Sequence, residues 1–158
     1  MHHKTLIALS ARKLFPYLFL WQLVLFCGCG GGLPETAPVH GVVTYDGKPL
    51  SGFKNAAVHF TPAAGRPAKS VISPNDGSFE VYTYKSGDGA RLGRHMVAVV
   101  ATVDDPTDKD ERYPGVRFVI PEKFANRDAS GLSYEVKPEG NVIQIELRSN
   151  GTGAIVAQ

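Results

Sequence analysis

The chain has 158 residues, which is enough for one domain. Its 17 Lys and Arg residues nearly balance 15 Asp and Glu residues, and this formal net charge of +2 excludes the strong basicity of a nucleic-acid-binding domain. With 43% hydrophobic and 20% charged residues, the composition is that of a folded domain rather than a disordered chain. Two cysteines are too few for a disulfide-rich scaffold.

The first 28 residues have the pattern of an export signal. Lys4, Arg12 and Lys13 supply positive charge, and a 13-residue apolar run follows over 14–26. Thirteen helical residues reach about 20 Å, which is short of the ~30 Å hydrocarbon core of a membrane. A positive start, a short apolar run and small residues after it predict a secretory signal peptide. An uncut membrane anchor is the alternative.

The apolar run ends in Phe26, Cys27, Gly28 and Cys29, followed by three glycines. This segment resembles the lipobox of bacterial lipoprotein precursors, in which a small residue precedes the cysteine that becomes acylated. Gly28 meets that requirement for Cys29, whereas Phe26 is too bulky to precede an acylated Cys27. The resemblance implies cleavage before Cys29, palmitate or a similar acyl chain on its amine and a diacylglycerol on its sulfur. It also implies a cell-envelope location. Plain secretion is the alternative.

The residue after the proposed lipid site bears on which membrane holds the protein. Gly30 is not the aspartate that retains lipoproteins at the inner membrane in enterobacterial-type sorting, so the resemblance favours the outer membrane. Removal of residues 1–28 takes away three positive charges and leaves 14 positive against 15 negative residues, a net charge of −1. Residues 29–38 are rich in glycine and proline and predict a flexible tether.

The sequence predicts short β-strands separated by turns over residues 39–148 and a carboxyl-terminal tail over 149–158. Asp46-Gly47 predicts a hairpin turn, and Glu139-Gly140-Asn141 predicts another between the last two strands. The run 94–103 is apolar on both faces and predicts a central strand covered on both sides. Because no helical period occurs, the pattern predicts an all-β Greek-key β-sandwich of about seven strands. The predicted strands are 39–45, 56–61, 70–73, 78–84, 94–103, 132–137 and 142–147.

Alternation within these strands predicts which side chains face the core, since successive side chains of a strand point to opposite faces. The residues expected to face inward are Val43, Tyr45, Val58, Phe60, Phe79, Val81, Val97, Val99, Leu132, Tyr134, Val136, Ile143, Ile145 and Leu147.

Five short motifs follow one another in a fixed order. They are Val-Thr-Tyr-Asp-Gly-Lys-Pro-Leu-Ser-Gly (43–52), Val-His-Phe-Thr-Pro (58–62), Asn-Asp-Gly-Ser-Phe (75–79), Gly-Asp-Gly-Ala-x-x-Gly (87–93) and Ile-Pro-Glu-Lys-Phe with Ser-Gly-Leu-Ser-Tyr-Glu-Val (120–136). Together they resemble the carboxypeptidase regulatory-like domain of many bacterial lipoproteins. The resemblance covers roughly residues 39–147 and implies a transthyretin-like β-sandwich. His95 replaces the tyrosine usual in that family, which predicts a core position for it.

A cluster of acidic residues opens the 26-residue segment 104–129, which shows little pattern. Calcium prefers six to eight oxygen ligands, and a carboxylate-rich loop can supply them. The spacing is not that of an EF-hand, because the sixth position lacks glycine and Lys109 intervenes. A solvated acidic loop is therefore favoured over a calcium site. The candidate cation ligands are Asp104, Asp105, Asp108, Asp110 and Glu111.

The histidines and serines do not form a catalytic motif in the sequence. His40, His59 and His95 lie on different predicted strands without a metal-ligand spacing, so ordinary structural roles are favoured over zinc binding. The transthyretin-like fold includes hydroxyisourate hydrolases, whose Tyr-Arg-Gly-Ser motif does not occur in this sequence. Gly-x-Ser-x-Gly does not occur either. The sequence therefore predicts a protein that is not an enzyme.

The predicted function is that of a non-catalytic, lipid-anchored envelope protein whose β-sandwich is a binding or structural module. The expected partners are a membrane, through the anchor, and a protein or glycan; no nucleic acid and no cofactor is expected. One alternative is a carbohydrate- or calcium-binding module. Tyr82, Tyr84, Tyr113 and Phe118 are its candidate sugar-stacking residues. A second alternative is an unrecognised hydrolase of the same fold.

Overall fold

The structure is a computed structural model that describes residues 34–105, 107 and 115–158. Pro34–Gln158 forms one compact unit. The predicted signal peptide and Cys29 lie outside the described residues. Within these bounds the fold is all-β, as the sequence predicts, and its one helical segment is a 3-10 turn at Glu122–Ala125.

The described residues contain twelve strands, more than the seven or so predicted, because several ladders are only two or three residues long. In chain order they are β1 (Thr36–Ala37), β2 (His40–Tyr45), β3 (Lys48–Pro49), β4 (Asn55–Pro62), β5 (Ala68–Val71), β6 (Ser78–Glu80), β7 (Ala90–Arg91), β8 (Gly93–Asp104), β9 (Val116–Phe118), β10 (Leu132–Val136), β11 (Val142–Leu147) and β12 (Gly153–Ala157).

The first five-stranded sheet is antiparallel and has the order β10-β8-β4-β5, with β9 also paired to β8. The twelve-residue β8 runs through its centre, as predicted for residues 94–103. On one side β8 pairs with β4, which sets Met96 opposite Thr61. On the other side β10 sets Ser133 opposite the same Met96. Three strands thus meet in register at Met96.

The second five-stranded sheet has the order β12-β11-β2-β3, with β6 also paired to β2. Its β2 and β11 are parallel, and Val43 lies opposite Ile145. Asp46 and Gly47, both with positive φ (47° and 78°), form the turn from β2 into antiparallel β3. This confirms the hairpin predicted from that residue pair. A separate two-stranded ladder joins β1 to β7.

The second predicted hairpin is wrong. Residues 137–141 do not join paired strands, because β10 belongs to the first sheet and β11 to the second. Both strands alternate apolar and polar residues since each covers the same core from a different sheet, and alternation alone does not reveal whether consecutive strands pair. The Asn141 side chain is 2% exposed and holds this crossing, accepting the Lys137 N–H (2.9 Å) and donating to the Lys137 carbonyl (2.7 Å).

The buried core consists largely of the residues that alternation along the strands predicts to face inward. Of the predicted inward residues only Tyr45 and Tyr134 are half-buried, and both pack against the buried cluster formed by the rest. Phe60 lies inside this cluster, with its ring centroid 6.4 Å from that of Phe79 and 6.1 Å from that of His95. His95 is 1% exposed, which confirms its predicted core position.

The outer face of β8 differs from the prediction. It is not covered along its length, because Arg94 and Met96 are exposed and Val100 is half-buried, while only Ala98 is closed off at 5% exposure. The apolar residues that suggested coverage are small or flexible, and they line an open sheet face.

Both ends of the described domain also differ from the prediction. Within the predicted tail 149–158, β12 pairs with β11 and sets Ile155 opposite Ile145. Gly153 fits there because a Cβ would lie 3.0 Å from the Phe124 ring. Within the predicted tether, β1 pairs with β7, so Ala37 is buried.

Candidate functional site

Only part of the predicted acidic cluster can be located. Asp108, Asp110 and Glu111 lie outside the described residues. Asp104 is exposed at the end of β8, and the Asp105 carboxylate accepts the N–H (2.9 Å) and hydroxyl (2.7 Å) of Thr107. These hydrogen bonds lower the pKa of Asp105, with Arg117 contributing a smaller electrostatic effect. In the part of the chain that the structure describes, no three His, Cys, Asp or Glu side chains are grouped to hold a metal ion.

The three histidines are not brought together. His40 is exposed on β2 in the second sheet, whereas His59 and His95 belong to the first sheet but alternate to opposite faces of it. Burial of the half-buried His59 lowers its pKa, and the neighbouring Lys69 charge lowers it further. His95 donates its Nε2–H to the Arg91 carbonyl at 2.8 Å inside the core. This arrangement does not provide a shared histidine site.

The aromatic candidates for sugar stacking differ in their exposure and contacts. Tyr82 is exposed, but the guanidinium carbon of Arg66 lies 5.9 Å from the centre of the Tyr84 ring and covers that ring. Phe118 is half-buried on β9, and Tyr113 lies outside the described residues. Among the described rings, Tyr82, Tyr84 and Phe118 form no aromatic pair with one another.

One concave surface lies on the outer face of the first sheet, across β4, β8 and β10. Its floor is the row Thr61–Met96–Ser133, and Met96 is 40% exposed there. Arg94 and Arg127 line the same cavity of about 500 Å³, which we call the arginine groove. This volume falls within the range of roughly 300–1,000 Å³ typical of small-molecule sites.

Arg94 is turned toward this groove. The register of β8 and β10 sets Arg94 directly opposite Glu135, yet its guanidinium Nη2 donates to the Ser133 hydroxyl at 3.4 Å. Among the described residues, no ion pair joins Arg94 to Glu135. Because a guanidinium has five N–H donors, most of those on Arg94 remain directed to solvent or to a bound molecule.

Arg127 reaches the groove from the loop after the 3-10 turn. Its Nε lies 3.6 Å from the Asp128 carboxylate, and the two side chains are 55% and 69% exposed. Such an exposed ion pair contributes roughly 0–1 kcal/mol, so it restrains Arg127 only weakly. Asp128 also lines the groove and is its one acidic residue among the described ones.

The loop that carries Arg127 is fixed to the sheet by short hydrogen bonds. The Asn126 carboxamide oxygen accepts the Asp128 N–H at 2.8 Å, forming a local turn. The buried Ser130 hydroxyl donates to the Val97 carbonyl of β8 at 2.6 Å and accepts the Leu132 N–H at 3.1 Å. The loop backbone is therefore held against the same strand that carries Arg94.

Part of the groove can be predicted from the sequence. Val97 and Val99 were expected to face inward, so alternation along β8 places Arg94 and Met96 together on the opposite face. The prediction that both faces of this strand are covered gave no reason to expect these two side chains at an open surface. Arg127 gave no such signal, because its position depends on a loop rather than on a periodic element.

A second, more open groove of about 770 Å³ lies beside β2, β5 and β6. His40 and Glu80 are cross-strand partners there, and Ser70 and Ser78 also line it. Both hydroxyls are already engaged: Ser70 donates to the Val71 carbonyl (2.9 Å) and Ser78 to Asp76 (2.7 Å). These contacts do not form a serine–histidine pair.

Comparison with known proteins gives no match for this chain among protein-family models, curated proteins or solved structures. Within residues 34–105, 107 and 115–158, no helix is long and apolar enough to cross a membrane.

Proposed function

We propose that this chain is a non-catalytic, lipid-anchored protein of the bacterial cell envelope, with a Greek-key β-sandwich that serves as a binding module. The observation that carries the binding role is the arginine groove, where Arg94 and Arg127 present guanidinium N–H groups beside the exposed Met96. These groups donate hydrogen bonds and offer apolar contact, which suits recognition of a ligand.

The sequence of the leader supports the anchored location. A positive segment, a short apolar run and Gly28-Cys29 match a lipoprotein precursor, and acylation would occur on Cys29. Each buried methylene of an acyl chain stabilises membrane attachment by about 0.8 kcal/mol, so several chains hold a protein firmly. The outer membrane is the favoured location because Gly30 follows the acylated cysteine.

The arrangement of the sheets supports the proposed domain type. Inward-facing residues of the two five-stranded sheets, such as Val97 and Ile145, belong to one buried cluster. The chain crosses between the sheets at 137–141, as the connections of a sandwich do. The motifs at 43–52 and 87–93 coincide with the β2–β3 hairpin and with the turn before β8, where the carboxypeptidase regulatory-like pattern expects turns.

Crosslinking in intact cells tests the binding role. A photoreactive benzoylphenylalanine at position 96 of the full chain should give a covalent adduct with an envelope component, because Met96 lies on the groove floor. The matched control is the same probe at Val116, which is exposed on β9 outside the groove residues. Equal adducts at both positions, or none at position 96, would refute a binding role for the groove.

Metabolic labelling tests the anchor. Radiolabelled palmitate should enter the wild-type protein and the Cys27→Ser variant but not Cys29→Ser. Labelling of Cys29→Ser at the wild-type level would overturn the anchor proposal, whatever the result of crosslinking.

A further inference from the structure

We propose that the arginine groove binds an anionic oligosaccharide, meaning a sugar chain that carries carboxylate or phosphate groups. This inference rests on the proposed binding function and specifies its ligand. The groove combines positive charge, hydroxyl donors and a small apolar floor in one cavity, and an anionic sugar has groups that match each of these.

The charge of the groove favours an anion. Two guanidinium groups, those of Arg94 and Arg127, line it against the single described carboxylate of Asp128. The contact between Arg127 and Asp128 is long, at 3.6 Å, and exposed, so a ligand anion can displace it at small cost. Guanidinium binds carboxylate and phosphate through paired N–H donors, which makes arginine well suited to either group.

Arg94 makes one exposed hydrogen bond within the groove. Its guanidinium already donates to Ser133 instead of pairing with the directly opposed Glu135. On the groove floor Ser133 is exposed and Thr61 is half-buried, so their hydroxyls lie beside the positive charge.

The apolar part of the floor suits the C–H surfaces of a sugar ring. Met96 is exposed between Thr61 and Ser133, and Pro62 also lines the cavity. The flexible thioether side chain of methionine adapts to irregular surfaces. The floor is therefore mixed, with one polar hydroxyl on either side of an apolar centre.

The backbone below the groove argues against an extended acidic peptide. Peptides that add to a sheet need a free strand edge with unpaired backbone groups. Over the residues that form the floor, β8 is paired with β4 on one side and with β10 on the other, whereas β10 is the edge strand of this sheet. A peptide could therefore add only along the outer edge of β10, away from Met96. A ligand above β8 meets side chains rather than free backbone groups, which suits a sugar with many hydroxyls.

Titration calorimetry with the full chain in detergent tests the ligand class. The probes are a galacturonic acid oligomer, a phosphorylated mannose oligomer, a neutral galactose oligomer of equal length and a glutamate oligomer. We expect binding of one or both anionic sugars and none of the neutral sugar. Arg94→Gln and Arg127→Gln should each weaken this binding about tenfold. Arg148→Gln, at an exposed arginine that directly follows β11, is the matched control and should leave it unchanged.

The outcomes separate this inference from the proposed function. Preference for the carboxylate or the phosphate sugar supports the inference and identifies the anion. Glutamate binding as tight as that of the sugars, or sugar binding unaffected by both arginine variants, would overturn it. Binding of neither anionic sugar also overturns it, and a position-96 crosslink that persists would then leave the binding function standing with another ligand.

Discussion

The carboxamide nitrogen of Asn141 donates to the carbonyl oxygen of Pro38 at 3.1 Å, although the two residues are 103 positions apart in the chain. The same side chain accepts the Lys137 N–H and the Tyr134 hydroxyl, at 2.9 and 3.2 Å. One buried amide therefore ties the crossing between the two sheets to the segment that leads into β2. The loss of several partners at once should make this position sensitive to substitution.

Asn141→Ala should lower the free energy of unfolding by about 2–4 kcal/mol, because it leaves several buried backbone groups without hydrogen-bond partners. Urea denaturation followed by circular dichroism measures this. Asn55→Ala, at an exposed position of β4, is the matched control and should change stability by less than ~0.5 kcal/mol. Equal effects of the two substitutions would contradict a structural role for the Asn141 network.

Gly41→Ala should destabilise the pairing of β2 with β11. A Cβ on Gly41 would overlap the backbone carbonyl of Ile143 on the neighbouring strand, and backbone cannot move aside as a flexible side chain can. Overpacking of this kind costs about 3 kcal/mol, measured as a lower midpoint in denaturant. Gly47→Asn is the control, since space around Gly47 is open and asparagine accepts its positive φ. A Gly41→Ala protein as stable as Gly47→Asn would disprove the close approach.

Asp88 should make stability depend on pH at the acid end. Partial desolvation raises the pKa of Asp88, but N–H bonds from Thr83, Tyr84 and Lys85 (2.8, 2.8 and 3.0 Å), together with the Lys85 charge, outweigh it and the net pKa is lowered. The stabilisation is therefore complete above the ordinary value of 3.8 and is lost as the pH falls through the lower folded-state pKa.

Asp88→Asn should consequently lower the melting temperature at neutral pH by roughly 5 °C, corresponding to about 1 kcal/mol after allowance for exposure. Below about pH 4 the difference from wild type should shrink, as protonation removes the advantage of the carboxylate. Thermal scans from pH 7 to pH 2.5 check both effects. Glu139→Gln, at an exposed position, serves as control, and a difference that grows toward low pH would refute the assignment.

His95 should tolerate phenylalanine better than alanine. Its Nδ1 is buried without a hydrogen-bond partner in the described part of the chain, and its ring packs against Phe60. His95→Ala leaves a cavity and should cost about 3 kcal/mol of folding free energy. His95→Phe keeps the ring contact and removes the unpaired nitrogen while losing the bond to Arg91, so we expect less than about 1.5 kcal/mol. Chemical denaturation that ranks phenylalanine as no better than alanine would contradict this.

The parts of the fold that the sequence predicted depend on local periodicity or turn chemistry. Alternation placed Val97 and Ile145 in the core, and Asp46-Gly47 marked a hairpin. The pairing of strands depends on which faces pack together, so the run after Val136 looked like a hairpin but crosses to the second sheet. Very short ladders such as β1 with β7 carry too few residues for any period to be visible.

In the candidate site, too, one arginine can be predicted from strand periodicity and the other cannot. Arg94 lies on a long regular strand, so its outward direction follows from the inward direction of Val97. Arg127 lies beside it only because Ser130 fastens the intervening loop to β8, and a contact between a loop hydroxyl and a distant carbonyl has no signature in sequence spacing.

The pairing of β1 with β7 bears on how the domain would carry a mechanical load. A pull on the chain at Pro34 first reaches Thr36 and Ala37, which pair with Arg91 and Ala90. Gly89 allows this contact, since a Cβ there would overlap the Ala37 carbonyl. This ladder is two residues long and belongs to neither large sheet, so its rupture would break no pairing within those sheets. A load entering at Pro34 would therefore act on this ladder before it acted on either large sheet.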